Sequence, residues 1–136
     1  MAHIEIERRE KEGIAILELN GRLIVGEPCT LLREKVTEEV TRGMTSIILD
    51  LKGVDFIDST GLGSMVICFT MLQKAKGKLK LLNLNRRNIE LLLLTKLSTV
   101  FELFNDEQQA VNSFFPEREI KHFDILSFVK EQKDAG

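Results

Sequence analysis

The residues best placed to do chemistry are two adjacent hydroxyls, Ser59 and Thr60, in the run Asp58-Ser59-Thr60-Gly61-Leu62-Gly63. Before them lies an apolar stretch ending in Phe56-Ile57. After them Leu62, Met65, Val66, Phe69 and Leu72 recur at spacings of three and four. That order predicts strand, turn, helix. A hydroxyl at such a junction can cap the orphan N–H groups of the first helical turn, attack an electrophile, or accept a phosphoryl group from another enzyme. Capping suits either hydroxyl, and Asp58 fits the same end of the helix because its charge meets the positive end of the dipole. Gly61 and Gly63 need a further reason, since a glycine inside a helix costs about 1 kcal/mol against alanine. Two are available: close packing of the helix start, or a bare backbone surface that another protein approaches.

Nucleophilic catalysis lacks its companions. No Gly-x-Ser-x-Gly elbow surrounds Ser59, and the two histidines, His3 and His122, stand near the chain ends with no base in the central sequence. Gly61-x-Gly63 lacks the third glycine and the downstream acid of a dinucleotide fingerprint. Cys29 and Cys68 show neither CxxC nor Cys/His ligand spacing, so the sequence points to reduced, packed thiols, with no metal and no cofactor. Capping and phosphate acceptance both survive this elimination. A helix N-terminus tolerates an anion, and phosphorylation adds about −1.5 to −2 charges beside Asp58, enough to repel an acidic or apolar partner surface.

The elements that must position this segment follow from periodicity. Ile4 and Ile6 alternate within His3 to Arg9, Lys11-Glu12-Gly13 turns the chain, and Ile14 to Leu19 returns as a hairpin partner. Asn20-Gly21 is expected to break that second strand, with Arg22 to Val25 as a short extended piece before Gly26 and Pro28. From Thr30, Leu32, Val36 and Val40 mark an amphipathic helix that Gly43 ends. Ser46 to Leu51 reads as a strand buried on both faces. Gly77 closes the helix after Ser59, Leu79 to Leu84 forms a strand, and Asn85 caps a helix reaching about Leu94. Val100 to Phe104 is a last strand. Asp106 to Phe114 is a helix of about two turns, which requires docking to be stable.

A hairpin followed by alternating helices and strands predicts one α/β domain with a mixed sheet. The chain has 136 residues, which suits a single core. Beyond Pro116, Ile120, Phe123, Leu126 and Val129 are spaced three apart and predict a further amphipathic helix, covering its own domain or else pairing two chains as a homodimer. With 43% hydrophobic and 29% charged residues the composition is that of a folded globular chain. A net charge of −2 gives no electrostatic footprint for direct nucleic-acid binding. The N-terminus lacks the pattern of a signal peptide, and the apolar run Leu91 to Leu94 is far too short for membrane insertion, so a cytoplasmic location is expected.

The stretch from Ile47 through Ile48-Leu49-Asp50-Leu51-Lys52-Gly53-Val54-Asp55-Phe56-Ile57 to Asp58-Ser59-Thr60-Gly61-Leu62-Gly63 resembles the core signature of the STAS family, in its anti-sigma factor antagonist branch. Gly21-Arg22-Leu23 and Val100-Phe101-Glu102-Leu103-Phe104 fall in the order of that family. The resemblance implies a STAS domain over residues 3–114 with a partly helical extension over 115–136, and a mixed four- or five-stranded sheet with helices mainly on one face. It further implies a partner-binding surface at Asp58, Ser59, Thr60, Gly61, Leu62 and Gly63. In the cycle it implies, an anti-sigma factor serine kinase phosphorylates Ser59 and a PP2C-type phosphatase removes the phosphate. The unphosphorylated form captures the anti-sigma factor and frees a sigma factor, without contact to DNA. Many antagonists carry an acidic residue just after the Gly-x-Leu turn, where this sequence has Ile24. Ser59 is thus expected to be the switch and Thr60 a cap. The alternative is a STAS interaction module of a transport or sensory complex; nucleotide or lipid binding is a lesser reading, which stabilisation by GTP, ATP or a lipid would favour.

Overall fold

A computed structural model describes residues 3–121, 123–125 and 127–128. The chain runs β1 (Ile4–Lys11), β2 (Ile14–Leu23), α1 (Glu27–Thr41), β3 (Ser46–Ile57), α2 (Ser59–Lys74), β4 (Lys78–Leu82), α3 (Arg86–Leu94), a 3-10 turn (Leu97–Thr99), β5 (Leu103–Phe104) and α4 (Glu107–Asn112). The five strands lie in the order β1-β2-β3-β4-β5. β1 is antiparallel to β2, as its tight turn requires, and each later strand is parallel to the one before.

Because β2, β3, β4 and β5 succeed one another in a single direction across the sheet, three crossovers of the same hand put α1, α2 and α3 on the same face. The core there is built from Leu17, Leu19, Leu23, Ile47, Leu49, Leu51 and Ile57 of the sheet and Leu32, Val36, Leu62, Met65, Leu72 and Leu92 of the helices. Val66 and Phe69, which share the helical periodicity of Leu62, are half-buried at its margin. A smaller cluster on the opposite face joins Ile14, Ile16, Ile48, Leu82 and Phe104 to Ala110 and Val111 of α4. Ile47, Ile48 and Leu49 are each 0% exposed, so β3 is buried on both faces as its composition predicts. The short α4 is docked further by Lys80, whose Nζ donates to the carbonyl and hydroxyl oxygens of Ser113 at 3.0 and 2.9 Å and pairs with Glu102 at 2.9 Å.

Several boundaries differ from the sequence reading, each for a local reason. Asn20-Gly21 does not end β2, which continues to Leu23 through two register shifts against β3. Gly21, at φ +129°, lies where a Cβ would meet the His3 carbonyl, so the glycine lets β1 pass close rather than stopping the strand. α1 starts at Glu27, not Thr30, with Pro28 in its first turn, the helical position proline tolerates. β3 extends to Ile57, beyond the apolar run. Val100 to Phe104 is not a continuous strand: only Leu103–Phe104 pairs with β4, because Phe101 turns into the helical core and Val100 out to solvent. In the tail, residues 125, 127 and 128 are helical. Of the side chains that predict the tail helix, Leu126 and Val129 lie outside the described residues, as does His122.

Candidate functional site

Leu23 and Ile57 are partners in the β2–β3 register, so the segments that follow them emerge side by side at one end of the sheet. After Ile57 the chain enters α2 directly. Asp58, in an extended conformation, is the N-cap: its Oδ1 accepts from the Gly61 N–H at 2.7 Å, and its Oδ2 accepts from the Val25 N–H at 3.0 Å. The Asp58 N–H itself donates to the Leu23 carbonyl at 3.2 Å. One carboxylate therefore ties the start of α2 to the 24–26 loop. Charge-assisted bonds of this kind are stronger than neutral ones.

This assignment corrects the expected role of Thr60. Its hydroxyl caps nothing among the described residues; Thr60 sits inside the helix, exposed, while Asp58 occupies the capping position. A residue already within α2 has its side chain outside the reach that an N-cap needs. Ser59 is the first residue of α2 and is exposed as well.

The two glycines separate cleanly. A Cβ on Gly61 would fall on the Leu23 carbonyl oxygen and lie 3.0 Å from Ile57 Cγ2, so this glycine lets α2 pack onto the end of β2. A Cβ on Gly63 would meet nothing within 4 Å. Packing explains the first and not the second. Leu62 between them is 5% exposed and belongs to the core. Of the six residues named from the sequence, Ser59, Thr60 and Gly63 form surface, Asp58 positions them, and Gly61 and Leu62 fix the helix from below.

Two exposed apolar side chains complete the patch and escaped the sequence reading. Ile67, 48% exposed, lies one turn past Gly63, so that Ser59, Gly63 and Ile67 recur at i, i+4 on one helix face. Val25, 62% exposed, is held beside the cap by Asp58. The i, i+4 spacing of Ile67 was available in the sequence; the contact that brings Val25 was not.

The other chemical candidates are quiet. Burial pushes the Cys68 thiol up to about 12, so it stays protonated and unreactive near neutral pH. Cys29 is buried and free, its Sγ 3.0 Å from the Ile24 carbonyl. Among the described residues there is no group of three or more His, Cys, Asp or Glu that could hold a metal ion, and no helix long and apolar enough to cross a membrane.

The family model of the STAS domain matches residues 5–110, the region that carries every element up to α4. The chain belongs to the STAS domain family. It is 33% identical over 101 residues to the anti-sigma-B factor antagonist of Bacillus subtilis, an alignment covering 74% of this chain and 91% of that protein. The crystal structure of a candidate anti-sigma factor antagonist from Thermotoga maritima superposes with a TM-score of 0.74 at 25% identity, covering 79% of this STAS chain and 92% of the other. The Bacillus cell fate determinant SpoIIAA, solved in its phosphorylated form, shares the fold with a TM-score of 0.64 at 20% identity, over 81% of this chain and 99% of that one.

Proposed function

We propose that this STAS protein is an anti-sigma factor antagonist whose binding is switched by phosphorylation of Ser59. The observation that carries the reading is the exposed Ser59 hydroxyl on the first turn of a helix whose capping carboxylate is already committed to two backbone N–H groups. Likeness over most of the chain to a protein named an anti-sigma-B factor antagonist supports it. In this reading the unphosphorylated face, made by Val25, Ser59, Thr60, Gly63 and Ile67, receives an anti-sigma factor with serine kinase activity. Gly63 keeps that face flat, and the apolar side chains of Val25 and Ile67 are desolvated on contact.

Phosphate on Ser59 changes the surface and leaves the fold alone. The first turn of α2 tolerates the added anion, but about two negative charges then stand beside the Asp58 carboxylate at the centre of the contact. Desolvating them against an apolar or acidic partner surface is costly, and the complex dissociates. A PP2C-type phosphatase resets the cycle. The protein acts as binding surface and substrate rather than as an enzyme, in the cytoplasm, with residues 3–114 as the acting domain and the remainder as an extension.

The test is a pull-down from native extract with wild type, Ser59→Ala and Ser59→Asp, partners being identified by mass spectrometry. A kinase-like anti-sigma factor held by wild type and Ser59→Ala and lost by Ser59→Asp is the expected result. Phosphopeptide mapping after incubation with that kinase should place the phosphate on Ser59. Phosphate on Thr60 alone, or equal binding by wild type and Ser59-phosphorylated protein, overturns the proposal.

A further inference from the structure

Residues 59–89, which contain all of α2 and β4, include no aspartate or glutamate, yet they include Lys74, Lys76, Lys78 and Lys80. Lys80 is buried and held by Glu102 and Ser113. The other three are exposed and follow one another where α2 ends and β4 begins. The turn that carries them is well fixed. The Gly77 N–H donates to the Leu72 carbonyl at 2.7 Å, the Lys78 N–H donates to the Thr45 carbonyl at 2.8 Å, and a Cβ on Gly77 would fall on that same Thr45 oxygen. A fourth lysine joins them from the next crossover. Val100 lines one recess with Gly77 and Lys78, and the exposed Lys96 lies in the turn that leads to Val100, its carbonyl accepting from the Thr99 N–H at 3.3 Å.

Lys76 and Lys96 each take a left-handed backbone conformation, at φ +61° and +63°, just past the ends of α2 and α3. Glycine is the usual residue there, because a side chain is disfavoured in that conformation. A cation near the end of a helix complements its dipole, which accounts for part of this choice. It accounts neither for Lys78, in a strand, nor for the missing countercharge. Among the described residues none of Lys74, Lys76, Lys78 and Lys96 holds a carboxylate. On the elements that flank them, Glu38 and Glu39 in the last turn of α1, Glu102 before β5 and Glu107 of α4 are each taken by another cation: Lys35, Arg8, Lys80 and Arg9 in that order. The whole-chain charge of −2 therefore conceals a cationic end.

We propose that this end of the domain docks on an anionic phospholipid surface, through Lys74, Lys76, Lys78 and Lys96. Lysine is a compact, hydrated point charge suited to a diffuse field, whereas arginine supplies the fork that pairs a carboxylate, and lysine is depleted at protein–protein contacts. A cluster made of lysine alone therefore fits a layer of headgroups better than an acidic peptide. Phe69 and Phe101 beside it pack edge to face on each other, half-buried and buried, so no ring is presented for a nucleic-acid base to stack on. Val100, 40% exposed, adds an apolar tip. β3 begins at this end and finishes at the other, so Ser59 lies about 35 Å away, at about 3.3 Å per residue of strand. A chain resting on its lysines turns Ser59 toward solvent. The docking does not depend on the Ser59 reading and leaves that surface open to a partner.

The test is co-sedimentation of the full chain with vesicles of phosphatidylcholine alone and of phosphatidylcholine mixed with phosphatidylglycerol, at low and at physiological salt. Binding is expected to the anionic vesicles only, and to weaken as salt is added. Each lysine held near an anionic surface strengthens binding about fivefold, so Lys74→Gln, Lys76→Gln and Lys78→Gln together should weaken it about a hundredfold. All three positions are exposed, and thermal melts should show the variant folded. Arg86→Gln with Arg87→Gln, exposed cations at the other end of the sheet, lowers the net charge without touching the cluster and should leave binding unchanged. Equal sedimentation with both kinds of vesicle, no binding to the anionic vesicles at low salt, or as large a loss in the arginine variant as in the lysine variant would overturn the proposal. So would tighter binding to a single-stranded DNA oligonucleotide or to a polyglutamate peptide than to the anionic vesicles at the same concentration of negative charge.

Discussion

Replacing Asp58 with alanine removes both bonds that join α2 to the 24–26 loop, the 2.7 Å contact from the Gly61 N–H and the 3.0 Å contact from the Val25 N–H. Loss of an N-cap costs about 0.5 to 2 kcal/mol. The second bond, to an acceptor at a half-exposed site, adds about 1 kcal/mol. The sum is about 1.5 to 3 kcal/mol, and at about 4 °C per kcal/mol for a domain of this size the melting temperature should fall by about 6 to 12 °C. Asp58→Asn separates the two contributions, because one amide oxygen can still cap Gly61 while the amide nitrogen cannot accept from Val25. It should lose about 1 kcal/mol.

Urea unfolding of the three proteins gives the free energies, and amide hydrogen exchange locates the loss. In Asp58→Asn the Val25 amide should exchange faster while that of Gly61 stays protected; in Asp58→Ala both should exchange faster. Thr60→Ala provides the control, since its hydroxyl holds no partner among the described residues, and should stay within about 0.5 kcal/mol of wild type. The reasoning fails if Thr60→Ala costs as much as Asp58→Ala, or if Asp58→Ala costs less than about 0.5 kcal/mol.

Three further outcomes follow from named contacts. Gly61→Ala should destabilise in urea melts despite alanine's better helix propensity, because its Cβ meets the Leu23 carbonyl, whereas Gly63→Ala, opening into free space, should stabilise by about 1 kcal/mol and still weaken partner binding in titrations. The Arg9 guanidinium, bonded to Glu107, holds that carboxyl below its ordinary range. A depressed carboxyl contributes stability that is fully present above its unfolded pKa and is lost as pH falls through the folded one. Glu107→Gln should therefore be less stable than wild type near neutrality, and the two unfolding midpoints should converge at acid pH. Lys80→Met leaves α4 without its bonds to Ser113, so the amides of Ala110 and Val111 should exchange faster with little change in α2.

The parts of the molecule legible in the sequence are those where one physical signal dominates. The helical stripe of Leu32 and Val36, the continuous apolar run of Ile47 to Leu49 and the turn at Gly13 each point to one structure. The second half of β3 was hidden because Lys52, Gly53 and Asp55 break the apolar pattern, and its strand character comes from pairing with Asn20 to Leu23. Gly53 shows the cause: a Cβ there would fall on the side chain of Asn20, so the residue is set by its neighbour in space and not by its neighbours in sequence. The same limit applied to the cap. Three oxygen-bearing residues in a row, Asp58, Ser59 and Thr60, all suit a helix start, and only the position of Gly61 and Val25 selects the first.

That selection bears on how a switch can work here. Ile57 and Leu23 end paired strands, so the chain after each is held within reach of the other whatever the loops contain. Asp58 uses this proximity, spending its two oxygens on one N–H from each segment. Ser59, next in the chain, is left on the surface with no structural bond to lose among the described residues. A hydroxyl that also capped the helix would couple its modification to the stability of the domain, and phosphorylation would then unfold the surface it was meant to relabel. In the proposed switch, this division of work between adjacent residues would let the anchor be permanent and the label reversible. The expected sign of this division is measurable: a charge introduced at Ser59 should change the melting temperature far less than the loss of Asp58 does, while its effect on partner binding should be the larger of the two.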